Sequence, residues 1–331
     1  MRPEALLEVK QLKKYYDIKK GWFQPKQQVK AVDDVSFTVY KGETYGLVGE
    51  SGCGKSTTGR AILKLQEATS GEIWFEQENI ANLPYEKMRK LRRKMQMVFQ
   101  DPYASLNPKK TILQTLTEPL RVHGMYTPEQ RVQKAIEILE IVGLSDYHLH
   151  SYPHEFSGGQ RQRIGIAKAV ILQPDLIIAD EPVSALDVSI QSQVINLLLQ
   201  LQRDFHLTYI FISHDLGVVR HITDRVGVMY LGKLVEQAQT EELFTNPQHP
   251  YTKALLSAVP ITHPDEVRER VILTGDVPSP LNPPQGCTFH PRCPDCMQIC
   301  RTEKPPVVDL GNHVVACHLY STLENSAMPS L

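Results

Sequence analysis

The segment Gly49 to Ser56, GESGCGKS, has glycines, a lysine and a serine at the spacing of a loop that binds phosphate groups. Glycines let the backbone amides turn inward around phosphate oxygens, a conformation that side chains would obstruct. Lys55 supplies a positive charge to the outer phosphates, and the Ser56 hydroxyl suits a magnesium ion. In this segment and at the position after it, the residues predicted to contact a nucleotide are Gly49, Ser51, Gly52, Cys53, Gly54, Lys55, Ser56 and Thr57.

The elements on either side of this loop favour the same interpretation. Thr44 to Val48, TYGLV, is typical of a short buried strand, and Thr57 to Leu65, TTGRAILKL, has the apolar spacing of a helix. The phosphates would then lie at a helix N-terminus, where the amides and the helix dipole favour negative charge. A Gly-rich turn followed by a chance Lys-Ser pair is the alternative, and this context makes it the weaker one.

Two acidic residues and a histidine follow apolar runs further along the chain. Asp180 and Glu181 come directly after Leu176 to Ala179, which predicts a buried parallel strand whose carboxyl end faces a ligand site. Asp180 is predicted to hold magnesium through water, and Glu181 to orient and polarise the attacking water. His214 ends the apolar run Tyr209 to Ser213 and is predicted to reach the γ-phosphate, although a lone histidine after a strand is more often structural.

Two further motifs complete a series of five. Gln100 ends the run MQMVFQ, and Phe156 to Arg163 reads FSGGQRQR, in which Ser157 suits the N-cap of a helix. In this order the motifs resemble the nucleotide-binding subunit of an ABC transporter. The resemblance implies an α/β fold, with an ATPase core of the P-loop NTPase (RecA-like) class and a helical subdomain.

The resemblance also assigns roles to individual residues. The motif that opens at Ser157 would meet the γ-phosphate bound by the other subunit, and Gln100 would sense magnesium. Tyr16 would stack on adenine, with the adjacent Tyr15 as the alternative. The implied catalytic residues are Glu181, His214 and Lys55; the implied magnesium ligands are Ser56, Gln100 and Asp180; the signature residues on the nucleotide are Ser157, Gly158, Gly159 and Gln160.

A narrower resemblance covers nearly the whole chain. QDPYASLNP at 100–108, NPQHPYTKALLSAVP at 246–260, and GCTFHPRCP with VACHL near 317 resemble the ATPase subunits of bacterial dipeptide and oligopeptide importers. The insertion Asp17 to Gln28 resembles the ATPase that is usually encoded second of two. The resemblance implies ATP-driven peptide import, with a second ATPase in a heterodimer, two permease subunits and an extracytoplasmic peptide-binding protein as partners.

Other functions remain open at this stage. Nickel and opine importers share the tail, so the sequence does not separate these solutes from peptides. A soluble ABC ATPase that remodels a ribosome or DNA is the alternative from another class. Such relatives usually carry two ATPase domains or a long coiled coil, and neither is visible in this sequence.

Composition limits the partners and the compartment. The 331 residues carry a net charge of −1, which does not suggest a nucleic-acid surface, and the basic run Arg89 to Lys94 is better interpreted as a solvated helix face. No apolar stretch approaches the roughly 20 residues of a membrane span, and Met1 to Val9 lacks the apolar region of a secretory signal. We therefore expect a peripheral protein at the cytoplasmic face of the plasma membrane.

The domain organisation follows from periodicity and proline content. Residues 1–260 are predicted to form the nucleotide-binding domain, with a helical subdomain at about 101–160. Arg131 to Val142 has apolar residues at three- and four-residue intervals there. Prolines break the periodicity beyond Leu234, and residues 261–331 are predicted to form a small Cys/Pro-rich module.

That C-terminal segment holds five of the six cysteines, and a chain without an export signal more often uses clustered cysteines for a metal than for disulfides. Cys296 makes a CxxC pair with Cys293, which by itself would suit zinc. Peptide-importer ATPases share a four-cysteine pattern without Cys296, and there the resemblance implies a [4Fe-4S] cluster. Zinc and thiols without metal are the alternatives. The implied cluster ligands are Cys287, Cys293, Cys300 and Cys317.

Overall fold

The structure is a computed structural model that describes residues 4–18, 27–101, 105–259 and 271–321. Its strands are β1 (Ala5–Ile18), β2 (Gln27–Tyr40), β3 (Thr44–Val48), β4 (Ser70–Phe75), β5 (Glu78–Asn79), β6 (Met95–Val98), β7 (Leu176–Asp180), β8 (Thr208–Ser213), β9 (Arg225–Tyr230), β10 (Lys233–Gln239), β11 (Val307–Asp309) and β12 (His313–Ala316). Its α-helices are α1 (Lys55–Ile62), α2 (Tyr85–Leu91), α3 (Ile112–Val122), α4 (Pro128–Ile141), α5 (Gly158–Val170), α6 (Val188–Phe205), α7 (Leu216–Ile222), α8 (Thr240–Thr245) and α9 (Pro250–Ser257). Short 3₁₀ helices lie at Asp146–His150, Pro153–Glu155, His290–Arg292, Gln298–Arg301 and His318–Tyr320.

The chain forms two compact units, each built from separate stretches of sequence. The first unit comprises Met1–Ala5, Val39–Thr44 and Asn82–Ser213. The second comprises Leu6–Thr38, Tyr45–Ala81 and His214–Leu331. The phosphate-loop sequence therefore lies in the second unit, whereas Gln100, Glu181 and the FSGGQ motif lie in the first.

The first unit contains a parallel sheet in which β7 pairs with β6 on one side and β8 on the other. All five residues of β7 are buried, which explains why the sequence LIIAD is continuously apolar up to its final aspartate. Helices α3, α4 and α5 contact one another in this unit. Helix α4 confirms the predicted amphipathic helix, and Thr127 begins it with a reciprocal capping box to Gln130.

The second unit contains two sheets. In one sheet, β9 pairs in parallel with β3 and antiparallel with β10, and β10 pairs with β12, which pairs with β11. The other sheet has the strand order β2-β1-β4-β5. Strand β3 is buried at every residue and confirms the strand predicted before the phosphate loop.

Several sequence predictions fall wholly or partly on residues that the structure does not describe. Positions 19–26 of the insertion Asp17 to Gln28 lie outside the described residues, as do 102–104 of the QDPYASLNP motif and the predicted domain boundary at 260 and 261. Residues 271–321 include β11 and β12, which share a sheet with β10 from before that boundary. Among the described helices, none is both long enough and apolar enough to cross a membrane.

Candidate functional site

The backbone of the Gly49–Ser56 loop has a shape that only glycine accepts at two of its positions. Gly49 and Gly54 have φ angles of 147° and 105°, which residues with side chains rarely adopt. A Cβ atom would lie 2.1 Å from the Met229 carbonyl oxygen at Gly49, and 2.1 Å from the Ala31 carbonyl oxygen at Gly54. The loop is therefore pressed against neighbouring backbone.

Lys55 lies near the end of this loop and begins helix α1. Its side chain is buried, and its ammonium group donates hydrogen bonds to the carbonyl oxygens of Gly49 at 2.8 Å and Glu50 at 3.1 Å. Gly54 is the N-cap of α1, and no side chain caps that helix end. The donors here are the Lys55 ammonium and the backbone amides at a helix N-terminus that no side chain caps. Together they fit a polyphosphate. Ser56 lies in the first turn of the same helix, where its hydroxyl could serve a magnesium ion.

Cys53 is a buried spacer within the loop. Its thiol lies 3.8 Å from the Lys55 ammonium, and burial raises the pKa of the thiol above its ordinary value. The group is therefore an un-ionised thiol at neutral pH. It contributes packing to the cradle rather than charge.

In the first unit, the structure brings two predicted residues together at a strand end. Asp180 is the fully buried last residue of β7, and Glu181 follows it with a φ of 47°, which is uncommon for a residue with a side chain. The Glu181 amide donates to the Ile212 carbonyl at 2.9 Å, and the Gln100 side-chain amide donates to the Glu181 carboxylate at 2.9 Å. The chain thus holds the Glu181 backbone through Ile212 and its carboxylate through Gln100.

The FSGGQ motif forms the start of helix α5, also in the first unit. Ser157 and Gln160 make a reciprocal capping box, in which each side-chain oxygen accepts the other residue's backbone N–H. A Cβ atom at Gly159 would lie 2.5 Å from the Ile190 side chain of α6, so the second glycine is required for close packing of two helices. Gln160, which was predicted to contact the nucleotide, serves here to cap the helix.

The remaining predicted residues lie in the second unit. His214 follows the last residue of β8, and Asp215 after it caps helix α7 by accepting from the Gly217 and Val218 amides. Tyr15 donates its hydroxyl to the Asp33 carboxylate at 2.5 Å. Tyr16 donates its hydroxyl to Gln66, and its ring has the Lys14 ammonium 4.9 Å from the centroid. Both tyrosines are partly exposed.

The five C-terminal cysteines are free thiols in the described segment 271–321. Burial raises the pKa of Cys293 to about 12 and that of Cys317 to about 11, so both are protonated at neutral pH as placed. Across the described residues, no group of three or more His, Cys, Asp or Glu side chains is arranged to hold a metal ion. The described side chains therefore give no support to the predicted iron–sulfur cluster or to a zinc ion.

An ion pair at the phosphate loop has no signal in the sequence. Arg292, from the cysteine-rich segment, donates from both terminal nitrogens to the Glu50 carboxylate, at 2.8 and 3.0 Å. The two residues are separated by 242 positions, and neither belongs to a pattern that predicts the other.

Family models match two parts of the chain. The ABC transporter model matches residues 32–184, and the model described as the oligopeptide/dipeptide transporter, C-terminal region, matches residues 235–300. Among solved structures, the ATP-binding cassette MJ0796 in a dimeric post-hydrolysis state with ADP and Pi has a TM-score of 0.64 and 29% identity, over 71% of this chain and 98% of that one. CbiO1 from Clostridium perfringens has a TM-score of 0.64 and 26% identity, over 73% and 92%. The fold and the motifs are those of an ABC transporter ATPase.

Curated relatives match along nearly the full length. The oligopeptide transport ATP-binding protein AppF of Bacillus subtilis is 58% identical over 323 residues, which cover 96% of this chain and 98% of the relative. The dipeptide transport ATP-binding protein DppF of Escherichia coli is 49% identical over 322 residues, which cover 97% and 96%. The chain belongs to the ATP-binding proteins of oligopeptide and dipeptide ABC transporters.

Proposed function

We propose that the loop at Gly49 to Ser56 binds ATP with Mg²⁺ and that the chain hydrolyses this ATP to power the import of peptides. The chain is the ATPase subunit of a peptide ABC importer. The main observation in favour of this function is the loop itself. Its glycines let the backbone surround the Lys55 ammonium, at a helix N-terminus that no side chain caps. The full-length identity to oligopeptide and dipeptide transport proteins supports the solute class.

The proposed roles of the residues follow from their chemistry. Lys55 neutralises the outer phosphates, while Ser56, Gln100 and Asp180 would hold Mg²⁺, which withdraws charge from the phosphate oxygens. Glu181 orients a water molecule and accepts its proton as the water oxygen attacks the γ-phosphorus and the bond to the β–γ bridging oxygen breaks. His214 donates a hydrogen bond to the γ-phosphate. Tyr16 is the proposed adenine-stacking residue.

Release of Glu181 from Gln100 is a step that these roles require. The Gln100 amide occupies one oxygen of the Glu181 carboxylate in the described state. While it accepts this hydrogen bond, that oxygen is directed at Gln100 rather than at a water molecule. We infer that ordering of Mg²⁺ by Gln100 and activation of Glu181 are coupled through this contact.

The proposed partners follow from the FSGGQ motif. Helix α5 presents Ser157, Gly158 and Gly159 at its N-terminus, which suits the γ-phosphate of an ATP bound by a second ATPase subunit. The dimeric ADP-bound state of the solved relative supports this arrangement. We propose a heterodimer with a non-identical ATPase, docked at the cytoplasmic face of the plasma membrane on two permease subunits that an extracytoplasmic peptide-binding protein supplies. We also keep the division into residues 1–260, with a helical subdomain at about 101–160, and 261–331 as a proposal.

The experiment that tests this function is ATP-driven peptide uptake by the purified complex in vesicles. Glu181→Gln should leave ATP binding close to that of the parent protein and lower turnover by about 10²-fold or more, as expected for loss of a positioned base. Glu78→Gln, which removes an exposed carboxylate from β5, is the matched control and should keep full turnover. Stimulation of turnover by ribosomes or DNA, and none by permeases with loaded binding protein, would favour the soluble ABC ATPase instead.

The [4Fe-4S] cluster, with zinc as the alternative, stays a proposal for the cysteines. The cluster is supported by an electrostatic interaction among these cysteines. Cys287 and Cys300 each raise the pKa of Cys317, so the three thiols lie close together. Protein purified without oxygen should carry about four irons per chain and lose them when Cys317 is replaced by Ala. Cys296→Ala is the matched control and should keep the iron. A colourless protein with about one zinc per chain would reverse the assignment.

A further inference from the structure

Glu50 of the phosphate loop makes hydrogen bonds through its side chain, its amide and its carbonyl oxygen. Its carboxylate accepts both terminal nitrogens of Arg292, at 2.8 and 3.0 Å, in a forked pair. The Arg292 side chain is 8% exposed and the Glu50 side chain 26% exposed, so water screens this pair only partly. Forked guanidinium–carboxylate pairs fix orientation as well as charge, because the two hydrogen bonds share one plane.

The backbone of Glu50 is held on both sides of its side chain. Its amide donates to the Tyr251 hydroxyl at 2.9 Å. Its carbonyl oxygen accepts from the Lys55 ammonium at 3.1 Å and from the Cys53 amide at 3.3 Å. A movement of Glu50 would therefore move the acceptor that places the Lys55 ammonium.

Arg292 is fixed by a buried aromatic cluster. Its amide donates to the Phe289 carbonyl at 3.0 Å, and Phe289 is 1% exposed. The Phe289 ring lies 5.1 Å from that of Tyr230 and 5.4 Å from that of Tyr251. Tyr251 thus holds the Glu50 amide and packs on the residue that anchors Arg292. Both ends of the forked pair share one rigid support.

Arg292 compensates the negative charge of Glu50, which would otherwise oppose phosphate binding. A carboxylate inside a phosphate loop repels the polyphosphate that the loop binds, and this repulsion is strong where water screens it poorly. The Arg292 guanidinium neutralises that charge at hydrogen-bond distance. It is the partner that the structure shows for the Glu50 side chain among the described residues.

We propose that Arg292 is a positioning residue for ATP binding, which orients the phosphate loop through Glu50 and cancels the Glu50 charge. The inference rests on the proposed function, in which this loop binds ATP. It gives the cysteine-rich segment a role in the nucleotide site that needs no metal. Arg292 itself does not contact the reacting atoms.

The test is an equilibrium titration of the full chain with a fluorescent ATP analogue and Mg²⁺. Arg292→Ala should weaken binding by about tenfold, and more strongly at low salt, where the exposed Glu50 charge is least screened. Arg292→Lys should recover part of the loss, because lysine keeps the charge but cannot form the fork. Glu50→Gln removes the fork and the carboxylate charge together, so its own affinity is the reference for the double variant. In that background Arg292→Ala should weaken binding by no more than about twofold.

Two controls separate positioning from a structural effect. Val315→Ala removes volume from the buried core of the β11–β12 hairpin without touching the pair, so it should lower the melting temperature and leave ATP affinity unchanged. Arg301→Ala removes an exposed arginine from the same C-terminal segment and should also leave affinity unchanged. If Val315→Ala weakens binding as much as Arg292→Ala does, the effect is structural and the inference is wrong.

Other outcomes also decide the matter. Parent-like affinity of a folded Arg292→Ala, or equal losses from Arg292→Ala with and without Glu50→Gln, overturns the inference. If Arg292→Ala does not fold, the Arg292→Lys variant decides, because its loss must disappear in the Glu50→Gln background. Lys55→Ala distinguishes a failure of the proposed function from a failure of the Arg292 inference. If that variant keeps parent-like affinity, the proposed function fails, and if only Lys55→Ala weakens binding, the Arg292 inference alone fails.

Discussion

Replacing Gly54 by alanine should destabilise the protein even when no nucleotide is present. The new Cβ atom would lie 2.1 Å from the Ala31 carbonyl oxygen, far below the 3.0 Å under which Cβ atoms essentially never approach backbone. The φ of 105° adds strain to this clash. Strain of about 1–3 kcal/mol and overpacking of a similar size together give a loss of about 2–6 kcal/mol. Because Ala31 belongs to β2, the loop rather than the strand must move.

Gly52→Ala is the matched control for this change. Gly52 has a φ of 79°, but a Cβ atom there would meet nothing within 4 Å, so only strain remains, at about 1 kcal/mol. Thermal unfolding without nucleotide should therefore show a clearly larger drop in melting temperature for Gly54→Ala than for Gly52→Ala. Equal drops in the two variants would refute the claim that backbone contact shapes this loop.

Three further predictions concern individual elements. Burial lowers the pKa of His249 to about 4, against about 6.5 in an unfolded chain, so the unfolded state binds more protons between these values. Stability from neutral His249 is present above pH 6.5 and is lost as the pH falls towards 4, by about 3 kcal/mol in all. Melting curves over that range should show the loss, and it should shrink in His249→Asn. Ser157→Ala should cost about 1 kcal/mol of stability by removing the cap of α5, which chemical unfolding against a Ser189→Ala surface control can measure. Gln100→Ala should lower ATP turnover in the complex and leave the total helix content, measured by circular dichroism, unchanged. Unchanged turnover would remove Gln100 from the coupling to Glu181.

Strands buried on both faces could be predicted from the sequence because their apolar runs are continuous. Strand β7 ends in Asp180 after four apolar residues, and β8 ends just before His214, so both strand ends were predictable. The phosphate loop was equally clear, because its glycines are required by backbone angles that the structure shows. Each of these elements could be predicted from a short stretch of consecutive residues.

Contacts between distant segments had no such signal. Strands β11 and β12 have three and four residues, too short for a period-two pattern to stand out, and proline-rich sequence precedes them. The pairing of β12 with β10, and of β11 with β12, therefore could not be predicted. The Arg292–Glu50 pair was hidden for another reason, since a glutamate beside the loop glycines has many possible partners and sequence spacing selects none of them.

Because β10 pairs with β12, we expect removal of the C-terminal segment to affect both the fold and the phosphate loop. Glu236 of β10 is 1% exposed, and its carboxylate accepts from the Gln248 and His249 amides and from the His313 ring of β12. A buried carboxylate that loses a partner is costly, commonly by about 3–5 kcal/mol, because its charge is left without compensation. Removing the segment beyond residue 271 would leave the buried Glu236 without His313 and the less buried Glu50 without Arg292. One of these carboxylates lies in the sheet core and the other in the phosphate loop, so fold stability and nucleotide affinity should fall together on truncation.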